Sequence, residues 1–184
     1  MQKLVFTNSK GVSIDLTSGN FGITNWDGLS GADLNIQTQQ VPFEDGGVFL
    51  DALIEQREIS LTLAIKDDNN LQTRYEKRRE LISVLNPKLG EGILVYTNDF
   101  ISRQIRAVPQ IPIFENHNSN DSGTPKASIV FSCPSPCWED IEETVVPEIA
   151  LYEERSVVNE GDVETPVEIE VNLNTYVVPN IKIR

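Results

Sequence analysis

Apolar and polar residues alternate along several stretches of this chain. In REISLTLAI, Ile59, Leu61, Leu63 and Ile65 take one phase, and Ser60, Thr62 and Ala64 the other. In ASIVFSC, Ala127, Ile129, Phe131 and Cys133 alternate with Ser128, Val130 and Ser132. In VEIEVNL, Val167, Ile169, Val171 and Leu173 alternate with Glu168, Glu170 and Asn172. A period of two predicts strands with one buried face. LVFTNSKGVSIDL predicts two short strands about the turn NSKG, and GILVYTN and ISRQIRAVPQIPIF are strand-like. A period of 3.6 appears in DDNNLQTRYEKRRELISVLNP, where Leu71, Tyr75, Arg78, Ile82 and Leu85 share a helical face and Leu81 and Val84 widen it. Asn69 or Asn70 is the expected cap, Asp67 and Asp68 suit the positive end of the helix, and Asn86-Pro87 ends it.

The segments between are punctuated. FGITNWDGLSGADLNI carries Gly22, Gly28 and Gly31 and is expected to be loop-rich. Asp45-Gly46-Gly47 signals a turn, and ENHNSNDSGTPK a hairpin loop. SCPSPCW closes a strand: Cys133 is its last inward residue, and Pro134 and Pro136 stop the ladder. The predicted fold class is mainly β (α+β), an antiparallel β-sandwich with one packed α-helix.

Charge shifts at the same place. Residues 1–137 carry a formal charge of −4 and residues 138–184 carry −9, which together make the −13 of the chain. This places an expected domain boundary near Trp138, with Pro136 and Trp138 as the hinge: a first domain over 1–137, then an acidic connector and a partial second domain over 138–184. About three strands in such a short stretch rarely fold alone, so the second unit is expected to be incomplete, to borrow an edge, or to have been cut.

The charge balance argues against a nucleic-acid grip and disfavours anionic membranes. No run reaches the length of a transmembrane helix, and the opening MQKLVFTNSKGVSID lacks a signal-peptide apolar core. Cys133 and Cys137, spaced C-x3-C with one histidine elsewhere, cannot complete a four-ligand zinc site and miss the C-x-x-C redox spacing. His117, between two asparagines, is expected to be an exposed loop residue. NEGD at 159–162 lacks the ligands of a calcium loop and is expected to be a turn. No nucleophile, metal or phosphate-binding motif is present. The expectation is a protein that is not an enzyme and has no cofactor. Arg78 has two readings, a snorkelling stem or an interface ion pair, and Lys77-Arg78-Arg79 between Glu76 and Glu80 is expected to be a solvated face.

The ordered set of features resembles the distal tail protein family of long-tailed (siphovirus-type) bacteriophages and prophages. It is carried by the LVFTN…GVSIDL hairpin, Pro42, Asp45-Gly46, REISLTLAI, LNPKLGEGILVY, FSCPSPCW and NEGDVETP. The matching positions are Leu4, Phe6, Gly11, Ile14, Pro42, Asp45, Gly46, Arg57, Leu81, Leu85, Asn86, Pro87, Gly92, Phe131, Pro136, Trp138, Asn159, Gly161 and Asp162. The resemblance covers essentially the whole chain and implies a structural virion protein at the tail tip, made in the cytoplasm of a bacterial host. It implies a homo-hexameric ring with a channel for DNA, joining the major tail tube protein to a tail-associated lysin or tail fibre protein. Receptor-binding or baseplate proteins are further implied partners, with no sequence-specific nucleic acid and no membrane. The second domain would be the start of a galectin-like β-sandwich.

A closing ring needs exposed strand edges or arms. The stretch FGITNWDGLSGADLNIQTQQVPFEDGG is the expected arm, with Phe21, Trp26, Phe43, Asp45 and Phe49 as candidate oligomer contacts. For Trp26 and Phe43, ring contact and own core stand as equal readings; for Phe21 and Phe49 the subunit's own core is favoured. The alternative function is a carbohydrate-binding β-sandwich module in host attachment, whose aromatic platform would have to come from the regions of Trp26 and Trp138.

Overall fold

The computed structural model describes residues 2–43, 45–66, 70–115, 124–142, 145, 156–159, 161 and 163. The chain divides into two compact units, Met1–Glu143 and Thr144–Arg184. The first holds all the elements below. The strand expected over 167–173, the galectin-like reading of the second unit and the loop around His117 lie outside the described residues. Within the second unit, Asn159 builds the expected turn: its Oδ1 accepts from Gly161 N at 2.9 Å and its Nδ2 donates to the Val163 carbonyl at 2.8 Å.

Among the described residues the fold is antiparallel β with one α-helix. The strands are β1 (Lys3–Thr7), β2 (Ser13–Asp15), β3 (Phe21–Asp27), β4 (Leu34–Gln40), β5 (Gly47–Ile54) and β6 (Arg57–Ile65). After helix α1 (Leu71–Val84) come β7 (Gly92–Thr97), β8 (Ser102–Pro109), β9 (Ile113–Phe114), β10 (Lys126–Cys133) and β11 (Glu139–Asp140). The main sheet runs β2-β1-β7-β8-β10-β6-β3, with β11 on β8 and β9 on β10. Strand β8 serves two layers: residues 102–107 register with β7, while Val108 and Pro109 face Ser132 and Phe131 of β10. The layers close on each other where the Phe6 and Phe131 rings meet at 5.2 Å.

Alternation positions this core. Ile59, Leu61, Leu63 and Ile65 of β6, and Ala127, Ile129, Phe131 and Cys133 of β10, are all buried against Leu4, Phe6, Leu94 and Ile105. Gly92 is required by close approach, since an added Cβ would lie 2.5 Å from Phe6 Cζ.

The helix is capped by Asn70, whose Oδ1 accepts from Gln72 N at 2.9 Å, and its last turn is tied to the first hairpin by Asn8 Nδ2 donating to the Val84 carbonyl at 3.3 Å. Its buried face differs from the expected one. Leu81, Val84 and Leu85 are buried, whereas Leu71, Tyr75 and Ile82 are exposed. Only the C-terminal half docks on apolar side chains, which turns the Leu71–Tyr75–Ile82 stripe outward. Arg78 places its guanidinium over the Phe114 ring at 5.0 Å from the centroid and donates from Nη2 to the Glu115 carbonyl, so the charged head rather than the stem makes these contacts.

Candidate assembly surface

The glycine-rich stretch is not the loop its composition suggested. It forms β3 on the main sheet and then β4, which pairs only with β5 in a separate two-stranded ribbon. Every described side chain of this ribbon is exposed. Residues opposite each other in an antiparallel pair share a face. Leu34 faces Ile54, Ile36 faces Ala52 and Thr38 faces Phe49, giving one largely apolar face. Asn35 faces Leu53, Gln37 faces Asp51 and Gln39 faces Val48, a face on which β4 contributes only amides. A bulge between Gln37 and Thr38 leaves Leu50 as the extra residue. Leu34, Ile36, Phe49 and Ile54 remain 48% to 61% exposed. No strand among the described residues covers the outer edge of β4 or β5.

At the tip, Phe43 is fully exposed and takes φ +70°. That is left-handed backbone, costly for a residue with a Cβ. Asp45 is exposed beside Gly46, whose φ is +97°.

The feet of the ribbon are fixed by a cluster of main-chain carbonyls. Glu55 N donates to the Asp33 carbonyl at 2.8 Å and joins one foot to the other. Arg57, the first residue of β6, is buried. Its Nη1 donates to the carbonyls of Gly28 at 2.9 Å and Leu29 at 3.1 Å, and its Nε to that of Pro136 at 2.7 Å. Trp138 Nε1 donates to the same Leu29 carbonyl at 3.2 Å. Gly28 is required there: it has φ +81°, and an added Cβ would overlap the Glu58 carbonyl oxygen.

The candidate contacts therefore separate. Phe21 is buried in the subunit's own core, which withdraws it from the set open to a second copy. Trp26 is half-buried, its ring 6.1 Å from Tyr96 in an edge-on contact. Phe43, Asp45 and Phe49 lie exposed on the ribbon, so the own-core reading of Phe49 does not hold. Pro136 and Trp138 are anchored to the first unit. Sequence reasoning passed over Leu34, Ile36, Leu53 and Ile54, although Leu34 and Ile36 alternate with Asn35 and Gln37.

Trp26 and Trp138 each lie beside Tyr96, Trp138 at 6.3 Å and tilted by 55°. All three rings are half-buried, and each tryptophan is inclined to Tyr96, so neither forms a flat platform with it. An open groove of about 440 Å³ beside Trp26 is lined by polar residues and β3 backbone, among them Gln2, Thr17 and Asn25. Asp15, which accepts a hydrogen bond from Thr17 of that lining, has its carboxyl lowered to about 2. Burial alone would raise it, but hydrogen bonds from Ser18 and Thr17 and the charge of Lys3 outweigh that. Burial pushes the Cys133 thiol up to about 11, partly offset by the Arg57 charge. Neither group has the poise of a proton-transfer catalyst near neutrality.

A protein family described as phage tail protein, RIFT-related domain, matches residues 1–133. Comparison with curated proteins gives no match. Two solved structures share the fold. The Dit protein (gp 19.1) of phage SPP1, described as a paradigm of the hub adsorption apparatus in phages infecting Gram-positive hosts, aligns with a TM-score of 0.57 at 16% identity, over 74% of this chain and 50% of its own. The phage P2 baseplate in its activated conformation with Ca contains a chain aligning with a TM-score of 0.58 at 15% identity, over 75% of this chain and 45% of that one. This chain thus spans about half the length of the chains it resembles.

Proposed function

The chain belongs to the family of phage tail proteins with a RIFT-related domain, and on that premise we propose that it is the structural hub at the distal end of a phage tail. Six copies close into a ring that joins the tail tube protein to the tail-associated lysin or fibre protein and leaves a channel for DNA. Receptor-binding or baseplate proteins attach outside it. The observation that carries this reading is the ribbon: a free-edged hairpin with an exposed apolar face is unstable alone in water and is a template for a second chain. A head-to-tail contact of this kind closes into a ring when its rotation allows. The β4 amides and Asp51 suit the face turned toward a channel, since neutral and acidic groups do not retain DNA.

The reading is tested by light scattering over a concentration series with negative-stain imaging. Closed rings of six copies are expected, and Ile36→Asp in the ribbon is expected to give a folded monomer. A wild-type chain that stays monomeric at every concentration, with or without its tube protein, removes the hub reading.

A further inference from the structure

The exit from the first unit is not a free linker. Beyond Trp138, β11 is paired to β8, with Glu139 opposite Gln104 and Asp140 opposite Arg103. Before it, the Pro136 carbonyl and the Trp138 indole are both held by the cluster at the ribbon's feet. One acceptor, the Leu29 carbonyl, receives Arg57 from the return foot and Trp138 from the exit segment. A carbonyl has two lone pairs and can serve both donors together. Moving the 28–29 backbone moves the acceptor of both at once. Among the described residues, the hydrogen-bond partners of Arg57 are main-chain carbonyls, so the clamp reads backbone position and not the ionisation of a carboxylate.

We propose that the Leu29 carbonyl couples the ribbon to the exit segment over residues 136–140, so that ordering one orders the other. In a ring whose neighbours grip the ribbon, the chain leading onward is stiffened by assembly. That use rests on the hub reading; the coupling itself is a property of the single subunit.

Amide hydrogen exchange of the full chain, kept dilute enough to be monomeric, tests it. Trp138→Phe keeps an aromatic ring and removes the N–H donor together with part of the ring area. It is expected to speed exchange over residues 28–33 and at Glu55 about three- to tenfold, the worth of one hydrogen bond. Exchange in β1 and β2 stays at wild-type values, and the unfolding temperature falls by only the few degrees that one hydrogen bond and the lost ring area are worth. In the reverse direction, Leu34→Gly at the ribbon's foot speeds exchange at Glu139 and Asp140. Two results overturn the proposal: a Trp138→Phe effect confined to 136–140, or exchange that is faster by the same factor everywhere, β1 and β2 included. A chain that shows the coupling yet never forms rings retires the hub reading and leaves the inference standing.

Discussion

Arg57 and Trp138, from opposite halves of the first unit, donate to one carbonyl oxygen, that of Leu29, at 3.1 and 3.2 Å. The geometry suits a guanidinium, whose rigid fork reaches Gly28, Leu29 and Pro136 together. Arg57→Met removes all three bonds and leaves the Gly28 and Pro136 carbonyls without this donor, while the Leu29 carbonyl keeps Trp138. The expected loss is about 2–4 kcal/mol in urea unfolding. Arg57→Lys is expected to recover only part of it, because an ammonium cannot span the same acceptors. A loss under about 1 kcal/mol for the methionine variant would show that water replaces the clamp without penalty.

Gly28 is the backbone counterpart of that clamp. Gly28→Ala meets both a φ of +81° and overlap with the Glu58 carbonyl, and is expected to cost more than about 3 kcal/mol or to prevent folding. Gly11 has a similar φ of +78° but nothing within 4 Å of an added Cβ. Gly11→Ala is therefore expected to cost only about 1 kcal/mol. Equal losses at the two sites in thermal unfolding would reject the steric part of the argument.

The strands that build the core were legible because alternation and burial agree in them, as in β6 and β10. The ribbon was only half legible. GVFLDALI is an apolar run, and an apolar run signals burial without saying in which molecule. Phe49, for which the subunit core is the favoured reading and ring contact the other, lies outside that core. Glycines made β3 and β4 look like loop, although Gly22 sits within a strand and Gly28 and Gly31 only separate two. The helix carries one broad apolar stripe, and tertiary docking buries only its Leu81, Val84 and Leu85 side and leaves Leu71, Tyr75 and Ile82 exposed. Arg57 had one readable signal: it occupies the inward phase of the 59-61-63-65 pattern, where a charge must find partners.

Phe43 combines two costs, a left-handed backbone and a fully exposed ring. Asn tolerates that backbone better. Phe43→Asn is expected to raise the stability of the isolated subunit by about 1 kcal/mol while weakening self-association in sedimentation. A variant that is neither more stable nor weaker in assembly would mean that Phe43 has no role at the tip.

The two cysteines should separate chemically. Cys133 is wholly buried and its thiol is raised to about 11, whereas Cys137 is partly exposed and both are free thiols. Mass spectrometry after iodoacetamide treatment at pH 8 is expected to find one label, on Cys137, in the native chain. The second label appears only on unfolding. Rapid labelling of Cys133 in the native chain would place the end of β10 outside the core.

Asp15 gives the chain an acid limit with a definite sign. Its Oδ1 accepts from Thr17 N, Thr17 Oγ1 and Ser18 N, and its Oδ2 from Ser18 Oγ at 2.6 Å, with Lys3 Nζ at 3.6 Å. Burial opposes the charge, but these donors and Lys3 lower the carboxyl from 3.8 to about 2. A folded value below the unfolded one stabilises wherever the carboxylate is ionised in both states. That contribution is complete above about pH 4 and is lost as pH falls through about 2. Asp15→Asn keeps one acceptor oxygen but replaces Oδ2 with an NH2 donor and removes the charge facing Lys3. The wild type is therefore expected to unfold at a higher temperature than Asp15→Asn from pH 7 down to about 4, with the gap closing toward pH 2. A gap that widened on acidification would require a folded value above 3.8, which the donors around Asp15 oppose.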